Sequence, residues 1–334
     1  MEKKGAIEIQ FNWILILVVG AVVIIIFMGF ISKQQGISAV STNILTASTL
    51  DNVLHGYESI DISGAMEIPE SKINFNCGSF SIDGIPKQIG ALSLFSPYSL
   101  ETDKLNILSF GWDMPYRITN FVYTTSPDVR YVFIGNSDFA REVFEKIRGK
   151  IRADGFTNVQ AVQDESNDRI RLIFFEQNPE MPENLNGSDL GLSALKIDGD
   201  ENSGIIEFFD FIDDKFELRG KSYYVGEASL FGAVFSDDIW AYNCNMEKGF
   251  NKLKIISQIY NKRINDIIDQ YNAIEKNNAC GGFYQSNLLA ISDNISYLSS
   301  FDFQSYNYEE FIKAAGEIEK INSEADALSC ILIY

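Results

Sequence analysis

Residues 13 to 31 read Trp-Ile-Leu-Ile-Leu-Val-Val-Gly-Ala-Val-Val-Ile-Ile-Ile-Phe-Met-Gly-Phe-Ile, with no charge and no strongly polar side chain. At about 1.5 Å per residue, a helix of this length crosses the roughly 30 Å hydrocarbon core of a bilayer. This reading decides the expected fold: a membrane helix at the N-terminus, with the rest of the chain built as an ectodomain. A buried core helix is the alternative, and an unbroken apolar run of this length fits it poorly. Trp13 stands at the edge of the run, where an indole prefers the interface. The run is too long for the apolar region of a cleaved secretory signal, and residues 27–33 offer no small-x-small cleavage site. Lys3 and Lys4 precede the run and only Lys33 follows closely. The positive-inside bias therefore places the N-terminus in the cytoplasm and residues 33–334 outside.

Outward from this segment, composition narrows the function. The chain has 334 residues, enough for a sizeable core, and 46% are hydrophobic against 22% charged, which excludes wholesale disorder. Acidic residues number 46 and basic residues 27, a formal net charge of −19. Nucleic acid is not an expected partner, because phosphate neutralisation needs clustered Lys and Arg. A single histidine, His55, removes most metal sites and most His-dependent catalysis.

The residues before the apolar run carry a resemblance. Lys4-Gly5 followed by Ala6-Ile7-Glu8-Ile9-Gln10-Phe11-Asn12-Trp13 resembles the class III signal of archaeal type IV pilins and archaellins. In that family a prepilin peptidase cuts after a Gly or Ala that follows a basic residue. The resemblance implies cleavage between Gly5 and Ala6, with the membrane helix kept on the mature protein. It departs from the family at the fifth mature position, where Gln10 stands instead of Glu and Glu8 falls at the third. The uncleaved alternative is a signal anchor. The whole chain is also similar in style to uncharacterised membrane-anchored surface proteins of small-genome archaea.

Beyond the run, Ile37, Val40, Ile44, Ala47, Leu50 and Leu54 recur at steps of three and four, an amphipathic stripe. With no proline before Pro69, helix can run from about 6 to 55, a length of about 75 Å. Gly36 weakens it and marks a possible bend. Such a helix suits a pilin and equally a plain stalk or a helix docked on the ectodomain. Strands are expected at 72–77, 91–95, 106–110, 117–124 and 130–134, with a helix from Ser137 carrying Phe139, Val143, Phe144, Ile147 and Ile151, and a stop at Gly155. Strands at 158–163 and 169–175 complete one βαβ unit within a mixed sheet. Residues 176–192 read as a polar loop. Further strands fit 192–197, 205–209, 216–219, 222–225 and 230–235.

The last ninety residues change character. Met246, Phe250, Leu253, Ile256, Tyr260, Ile264, Ile267, Tyr271 and Ile274 keep a heptad-like step. A second helix covers about 283–297, and a third follows Asn307, with Glu310 placed as in a capping box. Three successive helices imply a small bundle on or beside the sheet. The apolar end, Cys330-Ile331-Leu332-Ile333-Tyr334, is expected to be tucked in.

Four cysteines, Cys77, Cys244, Cys280 and Cys330, allow three pairings in an oxidising compartment. If the helices run up, down and up, Cys330 returns beside Cys280, which favours Cys280–Cys330 with Cys77–Cys244. The rival is Cys244–Cys330. None of the four has close zinc-ligand spacing. Asn186 and Asn294 match the glycosylation sequon, Asn186 in a polar loop and Asn294 in a helix. Asp198-Gly199-Asp200-Glu201-Asn202-Ser203 alternates oxygen ligands as calcium loops do, but Ser203 and Phe209 stand where an EF-hand needs Gly and Glu. A hairpin turn is the simpler account. Ser193 and Lys196 match Ser-x-x-Lys but project to opposite faces of a strand. Gly135-Asn136-Ser137 at a helix start could hold an anion, but without a glycine-rich loop the signal is weak, and Asp210, Asp213 and Asp214 read as a solvated face.

The expected fold class is thus α+β: a long N-terminal transmembrane helix, a mixed α/β ectodomain and a disulfide-bonded C-terminal helical bundle. The expected divisions are a leader at 1–5, a membrane and juxtamembrane helix at 6–56, an ectodomain at 57–240 and a helical region at 241–334. The expected function is a single-pass cell-surface protein, a pilin-like structural or adhesive subunit. The alternative is a membrane-anchored extracytoplasmic binding module for a ligand or an envelope partner. No catalytic residue, cofactor or metal is expected. The expected partners are membrane lipid, prepilin peptidase and pilin-like subunits.

Overall fold

The computed structural model describes residues 21, 25, 28, 40–162, 169–185, 191–274, 279–305 and 307–334. Two six-stranded sheets enclose a central layer of helix. The first sheet contains β1 (Ser63–Asn76), β2 (Ser79–Ile82), β3 (Ile85–Gln88), β4 (Leu94–Phe95), β5 (Ser99–Asp113) and β6 (Arg117–Thr125), in the order β3-β2-β1-β5-β6-β4. Its neighbours are antiparallel except β4, which runs parallel to β6. Asp83-Gly84 closes the β2–β3 hairpin with φ of 48° and 83°, the backbone a two-residue turn of this hand requires.

The second sheet contains β7 (Val129–Ile134), β8 (Ala153–Phe156), β9 (Arg169–Phe175), β10 (Gly191–Gly199), β11 (Ser203–Ile212) and β12 (Lys215–Val225), in the order β12-β11-β10-β9-β7-β8. The four strands β8, β7, β9 and β10 are parallel, and β11 and β12 form an antiparallel meander at one edge. Every residue of β7 is buried, which is why it reads as a near-continuous apolar run rather than an alternation. Helix α2 (Asp138–Ile147) carries the chain from β7 to β8.

One further helix was hidden by its own composition. The segment Glu227–Phe235 is α3, buried from Ala228 to Phe235, and it touches β5 and β6 of the first sheet and β12 of the second. A helix walled in on all sides is apolar all round and shows no 3.6-residue period, so the strand expected at 230–235 is corrected to helix. Phe235 joins the layers, with its ring 5.3 Å from Tyr123 on β6 and 5.3 Å from Tyr131 on β7. The strand expected at 158–163 is likewise corrected. That stretch holds a single turn at Val159–Ala161, and the edge strand lies earlier, at β8, which includes the Gly155 expected to end the helix.

Three more helices follow: α4 (Ile239–Ile274), α5 (Ala279–Ser300) and α6 (Tyr308–Ala327). The amide of Asn307 donates to Glu310 Oε2 at 2.7 Å, a side-chain pairing rather than a cap on the backbone. The tail is tucked in: Ile333 is fully buried, its N–H donates to Asn322 Oδ1 at 2.7 Å, and Ile331 N–H donates to the Tyr271 hydroxyl at 2.9 Å.

At the other end, α1 (40–57) buries Ala47, Leu50 and Leu54 and leaves Val40 and Ile44 exposed, so only the second part of the expected stripe is covered. Asn43 donates to Asp83 at 3.1 Å and Lys87 pairs with Asp51 at 3.2 Å, which fastens α1 to the β2–β3 hairpin. The membrane part of the expected fold class is corrected: among the described residues no helix is long and apolar enough to cross a membrane. Of the apolar run, only Ala21, Ile25 and Met28 are described, in helical conformation; its other residues lie outside the described ones. Gly5 and Ala6 lie outside the described residues, as does Asn186.

Candidate functional site

The structure disperses most of the residues singled out in the sequence. Asp198 ends β10, paired with Ile205, and Asp200 to Asn202 form the β10–β11 turn, where Asp200 Oδ1 accepts from Asn202 N–H at 2.8 Å and Ser203 N–H at 3.0 Å. That carboxylate is engaged in shaping its own turn, and no group of metal-ligating side chains occurs among the described residues. Lys196 reaches Asn178 at 3.1 Å and Glu207 at 3.7 Å, away from Ser193. Asp213 and Asp214 make the β11–β12 turn with positive φ, and Asp210 pairs with Arg219. His55 sits on α1, 3.2 Å from Asp51 one turn earlier. Asn294 donates its amide to Ala290 O at 2.8 Å within α5.

The cysteines, by contrast, come together in pairs. Cys77 is bonded to Cys244 and Cys280 to Cys330, with Cα atoms 5.9 and 5.6 Å apart. This is the pairing favoured by the up-down-up course of the helices, and the rival Cys244–Cys330 does not form. The first cystine pins the β1–β2 turn to the start of α4. The second joins the start of α5 to the C-terminal tail.

Gly135-Asn136-Ser137 lies at a crevice of the second sheet. The chain leaves β7 toward β8 on one side, then returns across β7 to β9 on the other, so the carboxyl ends of β7 and β9 form a topological switch point. Open parallel sheets bind ligands at such points. Two adjoining cavities of about 290 and 380 Å³ lie there and share Asn136, Ser137 and Thr157. Phe133, Phe144 and Phe156 line one, and Phe175, Glu176 and Gln177 the other. Glu176 takes φ of 62°, an uncommon conformation for a side chain of its size, while Ser137 caps α2 by accepting from Ala140 N–H at 3.3 Å. A Cβ at Gly135 would come within 2.9 Å of Ala140 and Phe175, so glycine there lets α2 sit close on the sheet. The lining offers hydrogen bonds, the guanidinium of Arg141 and the carboxylates of Glu145 and Glu176, with no activated nucleophile.

A buried ionic network joins the two sheets to the α3–α4 junction. Arg169 and Arg171, two apart on β9, lie on one face of an otherwise apolar strand. Arg169 donates to Ser99 O at 2.6 Å and pairs with Asp237. Arg171 is 2% exposed, donates to Ala233 O at 3.2 Å and lies 5.4 Å from the centre of the Phe208 ring. Burial lowers its pKa to about 10 and raises that of the Asp237 carboxyl, the latter against the pull of both arginines. Asp237 also accepts from Tyr98 N–H at 2.6 Å. The network therefore fixes the loop before β5 to the residues that begin α4. Sequence reading missed it; the signal was an Arg-x-Arg alternation inside an apolar strand. The neighbouring cleft of about 650 Å³ is rimmed by Glu70, Glu101, Asp103 and Asp128 around Arg169.

Lys248 on α4 is a half-buried cation. Its ammonium donates to the backbone oxygens of Cys77 and Leu92, the latter at 2.8 Å, and to Asn245 Oδ1 at 3.1 Å. No carboxylate pairs with it among the described residues, and burial lowers its pKa to about 8. Compared with family models, with curated proteins and with solved structures, the chain matches none.

Proposed function

We propose that this chain is an extracytoplasmic structural or adhesive subunit of the cell surface that works by binding. The observation that supports this reading is the pair of cystines, which close 167 and 50 residues of chain and leave no free thiol among the described residues. Disulfides form and persist in oxidising compartments. A membrane-impermeant amine reagent applied to intact native cells tests it: the exposed lysines should be labelled to the same extent before and after lysis. Labelling that appears only after lysis contradicts it.

A second reading, a module that captures a soluble ligand, is favoured by the crevice at the switch point. Its size lies at the lower end of small-molecule sites. Asn136→Trp, which would fill the space shared by both cavities, should abolish capture while leaving the melting temperature unchanged. Retention of ligand by that variant would remove the crevice from consideration.

A further inference from the structure

Two large rings stand in water where the first sheet meets the start of α4. Trp240 is 62% exposed and Tyr98 56% exposed, while Trp112 is 1% exposed. Tryptophan is highly buried on average, so an indole held outward at a fixed place is informative. Both rings line one cavity of about 260 Å³, and Trp240 also lines a second of about 410 Å³. The indole thus stands between two hollows.

The backbone under both rings is rigid. Tyr98 donates its N–H to Asp237 at 2.6 Å and accepts from Phe75 N–H at 2.8 Å. Trp240 lies in the first turn of α4, where Asp238 Oδ1 accepts from Ala241 N–H at 2.8 Å. One turn further on, the Cys77–Cys244 bond ties α4 to the first sheet. Rings presented this way lose little entropy when something covers them.

The polar groups between the rings suit a particular chemistry. Ser96 is 6% exposed, lines the first cavity, and its hydroxyl has no hydrogen-bond partner among the described residues. In the second cavity Asn243 accepts from Ser222 Oγ at 2.7 Å through Oδ1, which leaves its amide hydrogens to the hollow. No Lys or Arg lines either cavity, so phosphate, sulfate and other anions find no counter-charge. The carboxylates do not form a cation cage either, since Asp238 caps α4 and Glu247 accepts from Gln304 at 2.9 Å. What remains is flat aromatic faces flanked by neutral donors and acceptors. A pyranose matches that pattern. The C–H bonds on one face of its ring meet the negative face of an indole, and its hydroxyls reach sideways to amide and hydroxyl groups.

We propose that the Tyr98–Trp240 cleft binds a neutral oligosaccharide, with one sugar ring stacked on Trp240 and its neighbours in the two cavities. The proposal rests on the reading of the chain as a surface binding subunit and names the class of its ligand. The test uses the full, oxidised chain titrated with neutral hexasaccharides of glucose, mannose and N-acetylglucosamine, and with choline, followed by tryptophan fluorescence and calorimetry. At least one hexasaccharide should bind. Trp240→Ala and Tyr98→Ala should each weaken it tenfold or more, and Trp240→Phe should fall between Trp240→Ala and the wild type. Ile259→Ala, at another exposed position of α4, should change nothing, and all variants should keep the wild-type melting temperature. Absence of saccharide binding, binding indifferent to both rings, or binding of choline in place of sugar would overturn the proposal. A parallel pull-down on purified cell envelope separates the two levels. Envelope binding retained by Trp240→Ala rejects the cleft and keeps the binding subunit; no envelope or sugar binding rejects both.

Discussion

Along the first half of α4, Tyr242, Met246, Phe250 and Leu253 are buried among rings from the first sheet and the C-terminal helices. Along the second half, Ile264, Ile267 and Tyr271 are buried where α4 runs beside α5 and the tail. Phe250 shows what holds the first half: its ring lies 5.0 Å from Trp112, 5.3 Å from Phe301, 5.2 Å from Phe303 and 5.3 Å from Phe311. Tyr271 shows what holds the second: a ring 6.1 Å from Tyr284 and a hydroxyl that accepts from Ile331 N–H. One helix is therefore secured at its start by core packing and the Cys77–Cys244 bond, and at its end by a helix pair, the Cys280–Cys330 bond and a tucked tail. With a cystine at each end, the halves differ in packing: both sheets and the C-terminal helices surround the start, while a helix pair and the tail hold the end, which leaves the second half leaning more on its covalent closure.

Phe250→Ala should break the first half most severely, lowering the unfolding free energy by about 3–5 kcal/mol through lost burial and a cavity, as measured by denaturant titration. Replacing Cys280 and Cys330 together by Ser should remove a constraint on a 50-residue loop, worth roughly 4 kcal/mol in the chain-entropy model. Hydrogen exchange should then quicken in α5, α6 and the end of α4 while β7 and β9 stay protected. Equal deprotection of the sheets would show that the two halves do not differ.

Lys248 gives the first half a pH signature. Its pKa is about 8 in the folded chain against 10.5 ordinarily, so between these values the unfolded chain binds more protons and stability rises with pH. Tyr116 and Tyr334, raised to about 12 by burial, act oppositely above pH 10, where the unfolded chain loses its phenolic protons first. Melting temperature should climb from pH 8 to about 10 and fall beyond it. Lys248→Met should flatten the climb and leave the fall. The smallest effect belongs to the second half: Tyr271→Phe loses one hydrogen bond, about 1 kcal/mol, seen as faster exchange at Ile331 without a change in the sheets.

What could be read from the sequence follows the same division. Helices α4, α5 and α6 each bury one stripe, so their period is visible, and an up-down-up course of such helices brings Cys280 and Cys330 together. Residues 230–235 bury every side, so α3 looked like a strand. The apolar run at 13–31 was legible as composition, yet the described residues contain no membrane-crossing helix. Tyr98 and Trp240 left no trace in the sequence, because they meet across 142 positions of chain and are aligned by Asp237 and Arg169 from other elements. The switch-point crevice was half visible, as Gly135-Asn136-Ser137; Glu176 and Gln177 join it only once β9 pairs beside β7.

The central claim, a disulfide-stapled binding subunit at work outside the cytoplasm, is tested most directly by the thiol state of the native protein. Cells are lysed in excess alkylating reagent and the chain is digested without reduction and analysed by mass. The account predicts peptides joined as Cys77–Cys244 and Cys280–Cys330, with no alkylated cysteine. Four alkylated cysteines would contradict it.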